Sequence, residues 1–308
     1  MPVTLRASSI GSLAAQALRD ANSEIIGQVL NTFPNSFYVK TLDGELLFVT
    51  NHPLKSPITV NVEDTSGLNQ LVKPLDQVRL RGREINAGRA SIDLQATSRY
   101  QSEAGQARRF SCGSTEIARS LRTASFLLRI VDTSQSVLDP RSFAHAGIAQ
   151  FVDDGILPFR LPGMERHFHE AALKIVGLGS GFTPSGDDTL GGFLAAYNSL
   201  APAIGRSLIL LDFATLQNRS SWISARLLDY MQRLVLDEQV RSLIDSAARG
   251  DGDALILALE TLLPRGHTSG VDISTGALLA LVLIHDIAFE EHQTEFIATS
   301  LGLSPSAM

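Results

Sequence analysis

The chain has 308 residues, 44% hydrophobic and 19% charged, a composition that builds a packed core and excludes a disordered or fibrous protein. Its net charge of −6 is uneven: residues 1–110 carry 12 Lys and Arg against 10 Asp and Glu, and the remainder 14 against 22, so neither part has the basic surface of a nucleic-acid binder. Cys112 is the only cysteine, which excludes an intrachain disulfide and a cysteine-rich metal site.

The opening stretch, MPVTLRASSIGSLAAQAL, lacks the apolar centre of a signal peptide. A helical pattern near Ser12–Arg19 follows, and then strands are expected. SFYVKTLDGELLFVT (Ser36–Thr50) is two β-rich runs around Asp43-Gly44, a strong hairpin signal. PITVNVED alternates, and DQVRLRGREINAGRASIDLQA reads as a further pair with a turn near Asn86-Ala87-Gly88. Its Arg79, Arg81 and Arg83 read as a solvated strand face. Short strands with frequent turns predict a small barrel or sandwich.

Near residue 100 the periodicity changes. Gln101–Thr115 is polar and small, as a linker is, and helices follow. EIARSLRTASFLLRIV has helical spacing, SSWISARLLDYMQRL opens on capping serines, and ALILALETLLPRG is stopped by Pro264. His167 and His169 read as surface histidines. The longest apolar run, Ala277–Ile284, is short of the ~20 residues of a membrane span. The expected architecture is α+β: a β-rich domain over 1–108 and a mainly helical domain over 109–308, in a cytoplasmic protein without membrane or nucleic-acid partners.

Two corners of the helical part resemble each other. Ser185-Gly186-Asp187-Asp188 with Gly192 recurs as Ser269-Gly270-Val271-Asp272 with Gly276, 84 residues on, and each runs into an apolar helix. A serine at the N-cap and an aspartate three residues later suit a helix start, and the later glycine admits a second backbone. The first corner carries more than a cap needs. Gly177, Gly179 and Gly181 alternate before Thr183-Pro184-Ser185, and such a loop directs N–H groups at an anion beside a helix N-terminus. The spacing fits neither the dinucleotide fingerprint nor the P-loop. Two adjacent acids there imply separate directions for Asp187 and Asp188: a cap, a ligand N–H, a proton in transfer or a cation. The two corners are expected to converge, bringing Ser185, Asp188, His267, Ser269 and Asp272 to one pocket.

GLGSGFTPSGDDTLGGFLAA resembles the signature G-x-G-x-G-x-T-P-S-G-D-D-x-L-x-G of the AllH-type family, formerly a bacterial domain of unknown function. SSWISARLLDYM (Ser220–Met231) and RGHTSGVDISTGALLAL (Arg265–Leu281) are similar to two further stretches of that family, in the same order. The resemblance implies a subunit of an oxamate carbamoyltransferase of anaerobic allantoin (purine) catabolism, a transferase that turns oxalurate and phosphate into oxamate and carbamoyl phosphate beside other subunits. On that reading Gly179, Gly181, Thr183, Ser185, Gly186, Ser269, Gly270 and Asp272 bind the small anion, Arg265 holds a carboxylate, and Asp187, Asp188 or His267 moves the proton. No cofactor is implied. Two other readings stay open: a non-catalytic subunit that binds a small carboxylate or supports its partners, and a Mg²⁺-dependent enzyme on a phosphorylated metabolite with Asp187 and Asp188 as ligands. Ser120-Leu121-Arg122-Thr123 is similar to the phosphate motif of the ordinary transcarbamoylases, but it reads as a plain helix face because their doubly wound pattern is missing.

Overall fold

The computed structural model describes residues 2–21, 23–63, 67–95, 97–101 and 109–303. The chain divides into two compact units, Met1–Glu103 and Ala104–Met308. Part of the expected linker, 102–108, lies outside the described residues.

The first unit is a barrel. Its elements are β1 (Val3–Gly11), α1 (Ser12–Asp20), β2 (Ile25–Phe33), β3 (Ser36–Thr41), β4 (Leu46–Thr50), β5 (Thr59–Val62), α2 (Leu68–Leu71), β6 (Gln77–Arg81), β7 (Glu84–Ala87), β8 (Ala90–Asp93) and β9 (Ser98–Tyr100). The sheet runs β5-β4-β3-β2-β6-β7-β8-β1-β9, and pairing of β1 with β5 closes eight of these strands into a ring. Closure removes the open edges that a sandwich of this size would expose. Val29, Phe37, Val49, Val60, Val78 and Ile92 fill the interior.

The expected β3–β4 hairpin is present, with Gly44 at φ 81° in its turn. The segment read as one strand pair holds three strands, because a second tight turn falls at Gly82, φ 61°. β1 escaped the sequence reading because its inward positions include Ala7 and Ser9, small residues of weak strand propensity.

The second unit is helical. It comprises α3 (Ser114–Ile130), α4 (Phe143–Phe151), a π-helical turn (Val152–Ile156) leading into α5 (Leu157–Phe159), α6 (Glu165–Ile175), α7 (Ser185–Leu200), α8 (Phe213–Gln217), α9 (Trp222–Gln232), α10 (Glu238–Arg249), α11 (Gly252–Leu262), α12 (Ser269–Phe289) and α13 (Gln293–Ser300). Ser120–Thr123 lies within α3 as expected, and the expected cap of α9 is made by Ser221, which accepts the Ser224 N–H.

Two helices form the centre. Every residue of α7 is buried, and α12 is buried from Gly270 to Asp286. Neither has an amphipathic stripe, since helices such as α3, α9, α10, α11 and α13 surround them. α12 corrects the estimate from its apolar run: its 21 residues are long and apolar enough to cross a membrane, but they form the core of this unit.

α7 and α12 cross at two glycines. A Cβ on Gly192 would stand 2.0 Å from the Ile273 carbonyl oxygen, and one on Gly276 would stand 1.8 Å from that of Thr189. Both pairs obey the same 84-residue offset, so the crossing has a local two-fold relation. Only glycine permits backbones this close.

Candidate functional site

The crossing fixes the two helix starts side by side. α7 begins at Ser185 with Pro184 at its N-cap, and α12 begins at Ser269 with Thr268 at its N-cap. Neither serine caps its own helix, which corrects the sequence reading. The hydroxyls turn across the crossing instead. Ser269 lies beside the Asp188 carboxyl and Ser185 beside that of Asp272, and each hydroxyl favours the charged form of its acid. Each helix therefore serves the acid of the other across the glycine crossing.

Asp188 also accepts from the Thr183 hydroxyl at Oδ2 (2.8 Å), and Thr183 lies 3.3 Å from the Ser269 hydroxyl. Asp272 accepts the Val137 N–H at Oδ1 (2.8 Å). Its Oδ2 is buried without a hydrogen bond of full geometry, with the Ser185 and Thr268 hydroxyls alongside. Asp188 is 9% exposed and Asp272 0%, so Asp188 is the member of the pair nearer the surface.

Burial dominates the electrostatics. It pushes Asp188 up to about 7, the hydroxyls of Ser269 and Thr183 pull it back, the Asp272 charge raises it and the Arg265 charge lowers it. Asp272 is pushed up to about 6 by burial, against the Val137 N–H and the Ser185 and Thr268 hydroxyls. At neutral pH Asp188 therefore populates both its acid and its carboxylate form. Such a group can take up a proton and release it.

Asp187 is placed differently. Its Oδ1 accepts the Gly177 N–H (2.7 Å), and its Oδ2 accepts the hydroxyls of Ser220 and of Ser224, the latter at 2.6 Å. It thus ties the start of the glycine loop to the Ser220–Ser224 segment, the second of the three motifs. Ser220 comes from just before the α9 N-cap and Ser224 from the first turn of α9.

In the loop, Gly177, Gly179 and Gly181 all have left-handed φ, 78°, 111° and 112°. Among the described residues the N–H groups of Gly179, Ser180 and Gly181 donate no hydrogen bond, and Ser180 and Gly181 are exposed. The N–H groups of Gly186 and Gly270 are used within the chain, donating to Leu178 O (2.8 Å) and Arg265 O (2.9 Å).

Arg265 pairs with Asp237 (2.5 Å) and extends its charge to Asp188. His267 is exposed, and its charge acts on Asp132. The structure thus brings together Thr183, Ser185, Asp188, Ser269 and Asp272, with Arg265 in electrostatic reach, while Asp187 faces α9. Val137 and Asp237 lie outside the three motifs, and Thr268, inside the third, carried no signal of its own. His167 and His169 sit on α6, and among the described residues no group of three His, Cys, Asp or Glu is arranged to hold a metal ion.

Residues 175–281, from the end of α6 to the middle of α12, about a third of the chain and the stretch that holds all three motifs, match a family model. It is the family of oxamate carbamoyltransferase subunit AllH, so the resemblance seen in the sequence holds over this span. No curated protein and no solved structure matches the chain.

Proposed function

We propose that the helical unit belongs to an oxamate carbamoyltransferase-type enzyme and binds a small anionic carbamoyl metabolite where α7 and α12 begin. The carrying observation is the reciprocal pair Asp188 and Asp272, buried under each other's serine beside a glycine loop with undonated N–H groups. Loop and acids lie within the span that matches the family.

The chemistry follows from the parts. A phosphate oxygen attacks the carbamoyl carbon of oxalurate, a C–O bond forms, and the carbonyl oxygen becomes an oxyanion. The C–N bond then breaks, and the nitrogen of the departing oxamate needs a proton, which the attacking hydrogen phosphate has to lose. Asp188, poised near neutrality, takes that proton and passes it to the nitrogen. The N–H groups of Gly179, Ser180 and Gly181 hold the phosphate and, with the Thr183 hydroxyl, the oxyanion, as donors fixed in advance. Arg265 receives the oxamate carboxylate. Asp187 positions the loop, and Asp272 keeps Asp188 from ionising fully. The other subunits of such an enzyme would cover the exposed Ser180 and Gly181.

The test is phosphorus NMR of the chain with its partner subunits, oxalurate and phosphate. Carbamoyl phosphate should appear, and Asp188→Asn should slow its formation by about 10²-fold or more. Turnover by the assembly without this chain would refute the assignment. Binding of oxamate by the isolated chain, with an assembly that turns over equally with Asp188→Asn, would favour the reading as a non-catalytic carboxylate-binding subunit.

A further inference from the structure

The barrel unit has a cleft of its own, of about 240 Å³, at the end where β1, α1, the β6–β7 turn and β9 meet. Its floor is apolar, with Ile10, Leu18, Leu80 and Leu94. Three arginines stand around it: Arg19 from the last turn of α1, Arg83 from the β6–β7 turn and Arg99 from β9. Among the described residues no acidic side chain lines it.

Among the described residues the side chains of these arginines form no ion pair and donate no hydrogen bond. Their neighbours on β6 behave otherwise, since Arg79 and Arg81 both pair with Glu24. The negative end of α1 explains Arg19. It leaves Arg83 and Arg99, which reach the same cleft from separate elements with no counter-charge among the described residues.

We propose that this cleft binds a small amphipathic anion, a carboxylate or phosphate on a short apolar body, with the arginines on its head and the leucines under its body. Thr97, whose hydroxyl lies 3.3 Å from the Leu94 carbonyl, adds a polar group at the rim. Usual ligand pockets hold about 300–1,000 Å³, so the ligand is smaller than a nucleotide or a full lipid. The cleft lies in the barrel alone and does not depend on the reading of the helical unit.

The experiment uses the full chain and the fluorescent anion 8-anilinonaphthalene-1-sulfonate, with octanoate and inorganic phosphate as competitors. One dye should bind per chain, octanoate should displace it, and phosphate at equal concentration should not. The double variant Arg83→Glu, Arg99→Glu should weaken dye binding at least tenfold while circular dichroism and Tm stay unchanged. The single variant Leu94→Gln should weaken displacement by octanoate while Tm stays unchanged. Unchanged dye affinity in the double variant would overturn the proposal, as would displacement by phosphate as strong as by octanoate, or none by octanoate.

Discussion

Asp188 and Asp272 stand at equivalent points of two crossing helices, and each lies beside the hydroxyl of the first residue of the other's helix, Ser269 for Asp188 and Ser185 for Asp272. The Asp272 charge raises Asp188, and burial raises both, so two full charges on the pair are disfavoured. The pair is thus costly at high pH and inexpensive at low pH.

The cost gives a pH signature. Burial raises both groups in the folded chain, so between about 4 and about 7 the native state holds protons that the unfolded chain has released. Stability from this pair is fully present below the ordinary aspartate range and is lost as pH rises toward 7. Asp188→Asn removes the ionisation. The unfolding free energy of the variant minus that of the native chain should therefore grow more positive from pH 4 to pH 8, by an amount on the order of a few kcal/mol. Differential scanning calorimetry across that range checks it, and a difference independent of pH would contradict the coupling.

Asp187 should behave as an anchor. Removing its carboxylate leaves the Gly177 N–H and two serine hydroxyls without their acceptor. Asp187→Ala should cost about 3 kcal/mol in urea unfolding, more than Ser224→Ala at about 1. A loss under 1 kcal/mol for Asp187→Ala would mean that the loop is held by other contacts.

The glycine crossing should tolerate no side chain. Gly192→Ala and Gly276→Ala each drive a methyl group into a backbone carbonyl, and neither helix can move without unpacking the centre of the unit. Each should cost about 3 kcal/mol or more, at the upper end of overpacking penalties. Wild-type stability in either variant would refute the close crossing.

Magnesium separates the remaining readings. Both oxygens of Asp187 are engaged by donors within the chain, which leaves Asp188 without its adjacent acid as a co-ligand. Millimolar Mg²⁺ alone should leave Tm unchanged. A rise of several degrees that vanishes in Asp188→Asn would favour the metal-dependent reading, since a ligand that binds only the folded state raises Tm.

Much of this site was legible, and the reason is local. The echo of Ser-Gly-x-Asp with a glycine one turn on pointed to two helix starts and to a close approach, both of which depend on near neighbours in sequence. The serine roles were misread because a cap and a cross-helix contact demand the same residue at the same place. Only the path of the second helix distinguishes them. The Val137 N–H on Asp272 comes from a loop 135 residues away and left no trace in the pattern. In the barrel, the β3–β4 turn announced itself through Asp43-Gly44, whereas β1 hid behind small inward residues. Closure of the ring through β1 and β5 joins strands far apart in sequence, which no short window can show.

The most direct test of the account is anion binding followed by thermal shift with carbamoyl phosphate, oxamate, oxalurate and phosphate, on the native chain and on Gly181→Ala. At Gly181 a Cβ meets nothing nearer than the Thr183 carbonyl at 3.5 Å, but φ is 112°, so the substitution deforms the loop without touching the core. At least carbamoyl phosphate should raise the native Tm, and the rise should be lost in Gly181→Ala while the variant stays folded. Equal stabilisation of both proteins, or none by any of the four anions, would contradict it.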